Sequence, residues 1–98
     1  MSKEKVIAVL SANRETLIQR HVRSLSLFGS IARGEATSVS DVDLLVEFAP
    51  GHPHGLFEFL NLQCFLEDLL GCRVDLVMRD GIRKELKDRI LKEAIRAV

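Results

Sequence analysis

Three aspartates stand where β-strands would bring their carboxylates together. Asp41 and Asp43 are two residues apart, and Asp75 lies in a second apolar segment further along the chain. Side chains two apart on a strand project from the same face, with α-carbons about 6–7 Å apart. Carboxylate oxygens suit Mg²⁺, and this spacing can bridge two ions about 3.5–4 Å apart. The pattern therefore predicts a site in which three acidic side chains bind two magnesium ions.

A second group of residues could bind phosphate. Gly29 and Ser30 follow an apolar segment at a predicted strand-to-helix turn, where a bare backbone and a hydroxyl favour phosphate binding. Ser30 could equally cap the turn that follows. Arg33 could add a positive charge, or it could form an ion pair with Glu35 or Glu47. Phosphoryl and nucleotidyl transfer depend mainly on a positioned triphosphate and neutralised charge, which these residues together could supply.

Short segments of alternating polarity predict the strands that would position these side chains. Leu25 to Phe28 indicates a short apolar strand that ends abruptly. From Asp41 to Phe48, every second residue is apolar, so the two aspartates of this segment would lie on the face opposite the core. Arg73 to Met78 repeats the pattern. If the two strands are neighbours, Asp75 joins the acidic face.

Apolar residues at helical spacing predict helices that back this sheet. The first runs from Ser2 to about His21 with a break near Ser11 to Asn13, and the second runs from Leu56 to Leu70. A third, amphipathic helix near the end is indicated by a stripe of Ile82, Leu86, Ile90 and Ala94, and the last residues after it could be extended. A helical turn and loop are expected within Ile31 to Ser40, and a loop over Ala49 to Gly55. The predicted fold class is α/β (α+β), with a small mixed sheet of three to four strands.

Length and charge narrow the class of protein. A chain of 98 residues can bury one core, so we expect a single domain over residues 1–98. Fourteen basic residues balance fourteen acidic ones, so we expect neither a nucleic acid nor a membrane as a partner. No apolar run suits a signal peptide or a membrane span. Cys64 and Cys72 are too few for a disulfide framework, and we expect both to be reduced core residues of a cytoplasmic protein.

The joint spacing of these residues resembles a known signature. Gly29-Ser30, ten intervening residues and then Asp41-Val42-Asp43 are similar to the signature of the nucleotidyltransferase superfamily that includes DNA polymerase beta. The stretch from Leu27 to Ala36, continuing from Ser40 to Val46, resembles the minimal nucleotidyltransferase (MNT) branch, the antitoxin type of HEPN/MNT systems. The resemblance extends to the strand of Asp75 and to the closing helix.

This resemblance implies a nucleotidyltransferase fold and a set of roles. Asp41 and Asp43 would bind magnesium, Asp75 would complete the site and help to activate an acceptor hydroxyl, and Gly29 and Ser30 would hold the triphosphate of ATP. The implied partner is a HEPN ribonuclease toxin, which some such systems neutralise by adenylylating a tyrosine. The chain contains no Tyr, so a tyrosine acceptor would belong to another molecule.

Two other functions are compatible with the same residues. The protein could neutralise its partner by binding alone, without turnover. Polar residues scattered around the helix of Leu56 to Leu70 leave room for a partner on more than one of its faces. Alternatively, the acceptor could be a small molecule, as in the antibiotic-modifying transferases. Those enzymes usually carry an additional helical domain, so here the acceptor pocket would be shallow or shared with a second subunit.

Overall fold

The computed structural model describes residues 2–35, 41–51 and 55–98. The helices are α1 (Lys3–Ala12), α2 (Arg14–Gln19), α3 (Gly29–Ala32), α4 (Leu56–Leu70) and α5 (Lys84–Glu93). The strands are β1 (Val22–Phe28), β2 (Val42–Phe48), β3 (Val74–Met78) and β4 (Ile95–Arg96), and a short 3-10 turn covers Arg79–Gly81. No helix in these ranges has the length and apolar character needed to cross a membrane.

The four strands form one mixed sheet in the order β3-β2-β1-β4. β1 pairs with β2 and with β4 in antiparallel fashion, whereas β2 and β3 are parallel. The parallel pair is connected through α4, because parallel neighbours need a long crossover. The predicted mixed sheet backed by helices is confirmed, with β4 as its fourth strand.

The core lies between the sheet and the helices. Buried side chains come from α1, α2 and α4, which pack their apolar stripes against the strands; the largest fully buried ones include Leu10, Leu17, Leu25, Leu27, Leu44, Leu62 and Leu66. Each such side chain contributes about 1.5–3 kcal/mol by leaving water. In β2, Leu45 is buried as well, so the strand is covered over part of both faces.

Local signals explain the helix ends. The Ser2 hydroxyl accepts a hydrogen bond from the Lys5 amide at 3.2 Å and so caps α1. The Asn13 side chain donates to the Val9 carbonyl at 2.9 Å, where α1 ends and α2 begins. Gly71 ends α4 in the left-handed conformation at φ 69°, directly after Leu70, the predicted last residue of the helix. The predicted break and the predicted end of α4 are both confirmed.

Several sequence predictions need correction. β1 begins at Val22, three residues before the predicted start, and β2 begins at Val42, so Asp41 precedes the strand. Cys64 is exposed and not a core residue, because it lies on the outer side of α4; both cysteines are free thiols. The predicted loops fall partly on residues 36–40 and 52–54, and those positions lie outside the described residues.

Candidate active site

Two of the three aspartates are direct neighbours across the parallel strand pair. β2 and β3 align in a register that places Asp43 opposite Asp75. The residues on either side of both aspartates are buried, since Val42, Leu44, Val74 and Leu76 face the core. Both carboxylates therefore project from the other face of the sheet. Asp41 lies exposed immediately before β2, at the same end of the sheet.

The start of β3 is held in place by side chains of α4. Gln63 donates a hydrogen bond to the Val74 carbonyl at 3.0 Å, and the Glu67 carboxylate accepts one from the Val74 amide at 3.1 Å. Val74 is thus anchored through both of its backbone polar groups. Because Asp75 is the next residue, its direction is set by this pair of contacts. This role of Gln63 and Glu67 could not be predicted from the sequence, since nothing in their spacing links them to β3.

Gly29 lies against Asp43. It follows Phe28, the residue paired with Asp43 across β1 and β2, and it has a φ of 79°. A β-carbon at position 29 would lie 2.8 Å from the Asp43 carboxyl carbon and 3.0 Å from its β-carbon. Glycine is needed here for the backbone angle and for the space. The Gly-Ser turn and the acidic pair are therefore parts of one packed unit.

The surroundings of Asp43 disfavour the ionised form of its carboxyl group. The pKa of Asp43 is raised from its ordinary value of 3.8 to about 6, mainly by burial and then by the like charges of Asp75 and Asp41 and by hydrogen bonding with the Asp75 side chain. The positive charge of Arg33 acts in the opposite direction. A carboxylate whose pKa is raised by neighbouring carboxylates lies in a strongly negative site.

The donor set fits a divalent cation. The site offers carboxylate oxygens, which are the ligands of hard ions such as Mg²⁺, and a cation would relieve the repulsion around Asp43. As the side chains stand, no group of three or more His, Cys, Asp or Glu residues within the described ranges is placed to hold a metal ion. Asp43 and Asp75 form the close pair, and Asp41 would have to turn toward them to complete the predicted triad. The metal-binding role of the three aspartates stays a prediction.

Ser30 lies in the short helix α3, and Arg33 follows that helix directly. The first turn of α3 has no side-chain cap, because its N-cap residue is Phe28. Arg33 forms an ion pair with Glu35 at 3.0 Å, one of the two partners considered from the sequence. The other, Glu47, pairs instead with Arg23 and Arg79. The predicted contacts of Gly29, Ser30 and Arg33 with phosphate are not tested by these observations.

Arg33 also has a partner that the sequence analysis did not predict. Its Nη1 donates a hydrogen bond to the Glu93 carboxylate at 2.9 Å. Glu93 is the last residue of α5 and lies 60 residues away in the chain. Helical spacing shows only that Glu93 belongs to a charged amphipathic helix, and no local signal connects it with α3.

Comparison with known proteins supports one class of chemistry for this arrangement. The sequence profile of the nucleotidyltransferase domain family matches residues 10–97. The chain is similar to the protein adenylyltransferase MntA of Thermococcus cleftensis, with 38% identity over 96 residues that cover 97% of this chain and 95% of that relative.

Solved structures share the fold. One, provisionally assigned as a minimal nucleotidyltransferase, has a TM-score of 0.81 and 39% identity, and the match covers 97% of this chain and 95% of the other. Another is a tri-AMPylated HEPN toxin of Shewanella oneidensis in complex with its MNT antitoxin, with a TM-score of 0.59 over 89% of this chain and 70% of the other. Its identity of 18% shows the likeness of fold alone.

Proposed function

The chain belongs to the nucleotidyltransferase domain family, and from that premise we propose that it transfers AMP from ATP to a hydroxyl of a partner protein. The partner would be a HEPN toxin, and the transfer would make this chain its antitoxin. The relative in Thermococcus cleftensis is a protein adenylyltransferase, and a neighbour in fold is bound to an AMPylated HEPN toxin. The single observation that carries the proposal is the pairing of Asp43 and Asp75 beside the Gly29 turn.

The aspartates would bind metal ions, and the Gly29-Ser30 turn would bind phosphate. Asp41 and Asp43 would hold magnesium, with Asp75 as the third ligand; when bound, the ions would neutralise the negative charge of the triphosphate. The backbone at Gly29 and the Ser30 hydroxyl would bind the outer phosphates. Two ions would be expected, as in other sites of this chemistry.

Asp75 would accept the proton of the acceptor hydroxyl. The hydroxyl oxygen then forms a bond to the α-phosphorus of ATP, the bond from that phosphorus to the β-phosphate oxygen breaks, and pyrophosphate leaves. Asp75 is exposed on the strand face, so an incoming hydroxyl can reach it. Since the chain has no Tyr, a tyrosine acceptor would have to come from the partner. The place of action would be the cytoplasm, in keeping with two free thiols.

The test is transfer of labelled AMP from ATP to the proposed HEPN partner, with magnesium present. The variant Asp41→Asn/Asp43→Asn should leave the partner unlabelled. A matched control is Asp80→Asn/Asp88→Asn, which changes two exposed aspartates outside the site and should label the partner as the wild type does. Equal labelling by wild type and the Asp41/Asp43 variant would refute the proposed catalytic role.

One surface favours a second function, neutralisation by binding alone. Near the start of α4, Leu56 is 71% exposed and Phe57 is 83% exposed, and Leu60 is exposed as well. Exposed apolar side chains grouped on one helix are typical of protein interaction sites. If the Asp41/Asp43 variant still silences the toxin in cells at equal expression, binding suffices for neutralisation. If toxicity returns, neutralisation requires the transfer reaction.

A further inference from the structure

Arg33 is held between two carboxylates from different parts of the chain. Its Nε donates to Glu35 at 3.0 Å and its Nη1 donates to Glu93 at 2.9 Å. The Glu93 side chain is only 18% exposed, whereas that of Glu35 is 64% exposed. Ion pairs shielded from water are weakened less by solvent than open ones. Glu93 is therefore the firmer of the two anchors, and its hydrogen bond is the largest cause of the raised pKa of Arg33.

Glu93 is itself fixed to the sheet. It ends α5, and two residues later the chain enters β4, which pairs with β1 through Ser26–Arg96 and Leu27–Ile95. The Ser11 hydroxyl donates to the Ala97 carbonyl at 2.9 Å and ties the following residues to α1. A carboxylate that is followed so closely by an anchored strand has little freedom to move. It can hold a long, flexible side chain in one position.

The guanidinium that Glu93 holds belongs to the residue that follows α3, the helix that begins beside the acidic site. Arg33 follows α3 directly, and α3 begins at Gly29, which packs against Asp43. The positive charge of Arg33 partly opposes the rise in the pKa of Asp43. A guanidinium has five N–H donors, and the two carboxylates use two of them. Phosphate oxygens could bind to the rest of the same rigid group.

We propose that Glu93 is a positioning residue, which holds the Arg33 guanidinium beside the nucleotide phosphates and so increases the affinity for ATP. The inference rests on the proposed function, because it takes Arg33 as a phosphate ligand. Glu93 touches no reacting atom in this scheme and acts only through Arg33. Because Glu93 is the last residue of α5, helix α5 would contribute to nucleotide binding.

The test is calorimetric titration with an ATP analogue whose α,β-bridging oxygen is a methylene group, in saturating magnesium. Glu93→Ala should weaken binding by about three- to tenfold, the range for a lost charge-assisted contact that is partly exposed. Glu93→Gln keeps an acceptor oxygen and should recover part of this loss. Glu85→Ala removes an exposed glutamate from the same helix and should bind as the wild type does.

A double-mutant cycle shows whether Glu93 acts through Arg33. Arg33→Ala should weaken binding at least as much as Glu93→Ala, and the double variant should bind no more weakly than Arg33→Ala alone. Unchanged or tighter binding by Glu93→Ala, or losses that multiply in the double variant, would overturn the inference. A wild type that binds no analogue would overturn the proposed function as well, so the two failures are distinguishable. Thermal unfolding of each variant identifies any that is not folded at the titration temperature.

Discussion

Replacement of Asp43 by Asn is expected to stabilise the metal-free protein at neutral pH while it abolishes nucleotidyl transfer. Burial and the neighbouring carboxylates raise the pKa of Asp43 from 3.8 to about 6. A tenfold change in proton affinity is about 1.4 kcal/mol, so this rise corresponds to a penalty of at most about 3 kcal/mol for the ionised form. Solvent reaches part of this side chain and screens its charge, so we expect about 1 kcal/mol.

The sign of the pH dependence follows from the raised pKa. Between about pH 4 and pH 6 the folded protein holds a proton on Asp43 that the unfolded chain has released, so the free energy of unfolding falls as pH rises through this window. The penalty is complete above about pH 7 and absent below about pH 4. Asn at position 43 keeps the shape of the side chain without the charge. The free energy of unfolding of the variant should therefore rise above that of the wild type over the same pH window.

The measurement is thermal unfolding of wild type and Asp43→Asn in EDTA at pH 4 and pH 8. For a domain of this size, 1 kcal/mol corresponds to about 4–8 °C in Tm. We expect the variant to unfold at a higher temperature at pH 8 and at nearly the same temperature at pH 4. Asp80→Asn, which changes an exposed aspartate in the 3-10 turn, serves as the control. Its Tm should be close to that of the wild type at both pH values. A lower Tm for Asp43→Asn at pH 8 would show that the carboxylates are not crowded as described.

Three further predictions follow from the same geometry. Magnesium at about 100 times its Kd should raise the free energy of unfolding of the wild type by about 2.7 kcal/mol at pH 8, as measured by thermal unfolding. The rise for Asp43→Asn should be much smaller, because the variant lacks one of the proposed ligands. Gly29→Ala should destabilise the fold by about 1–3 kcal/mol in urea unfolding and reduce transfer, because the new methyl group meets Asp43 and φ is 79°; an unaffected variant would refute the close approach. Leu66→Ala should cost about 2–5 kcal/mol in the same assay, whereas Phe57→Ser should change stability by less than about 0.5 kcal/mol, since Leu66 is fully buried and Phe57 is exposed; similar losses for both would contradict the packing of α4.

The strands of the site could be predicted because their patterns are local. Alternation of apolar and polar residues in β2 and β3 places the aspartates on the face away from the core, and the structure confirms the strands and their adjacency. The end of α4 before Gly71 could also be predicted, because a glycine after an apolar run is a local signal for a helix end. Such features depend on neighbours in sequence.

The features that could not be predicted depend on contacts between distant residues. An extended ending was expected, but β4 has only two residues and exists because it pairs with the edge of β1, so no periodicity marks that pairing. The partner of Arg33 lies on α5, and the residues that anchor Val74 lie on α4. In each case a charged or amide side chain has many possible partners along the chain, and only the packing of the elements selects one. The exposure of Cys64 follows for the same reason from the way α4 is turned.

The central claim is that the acidic pair of Asp43 and Asp75 directs attack at the α-phosphorus of ATP. The most direct measurement compares ATP labelled on the α-phosphate with ATP labelled on the γ-phosphate, each incubated with this protein, magnesium and the proposed HEPN partner. The account predicts that the partner retains the α-label and none of the γ-label, and that pyrophosphate is released in equal amount. Retention of the γ-label, or equal α-labelling by the Asp43→Asn variant, would contradict it.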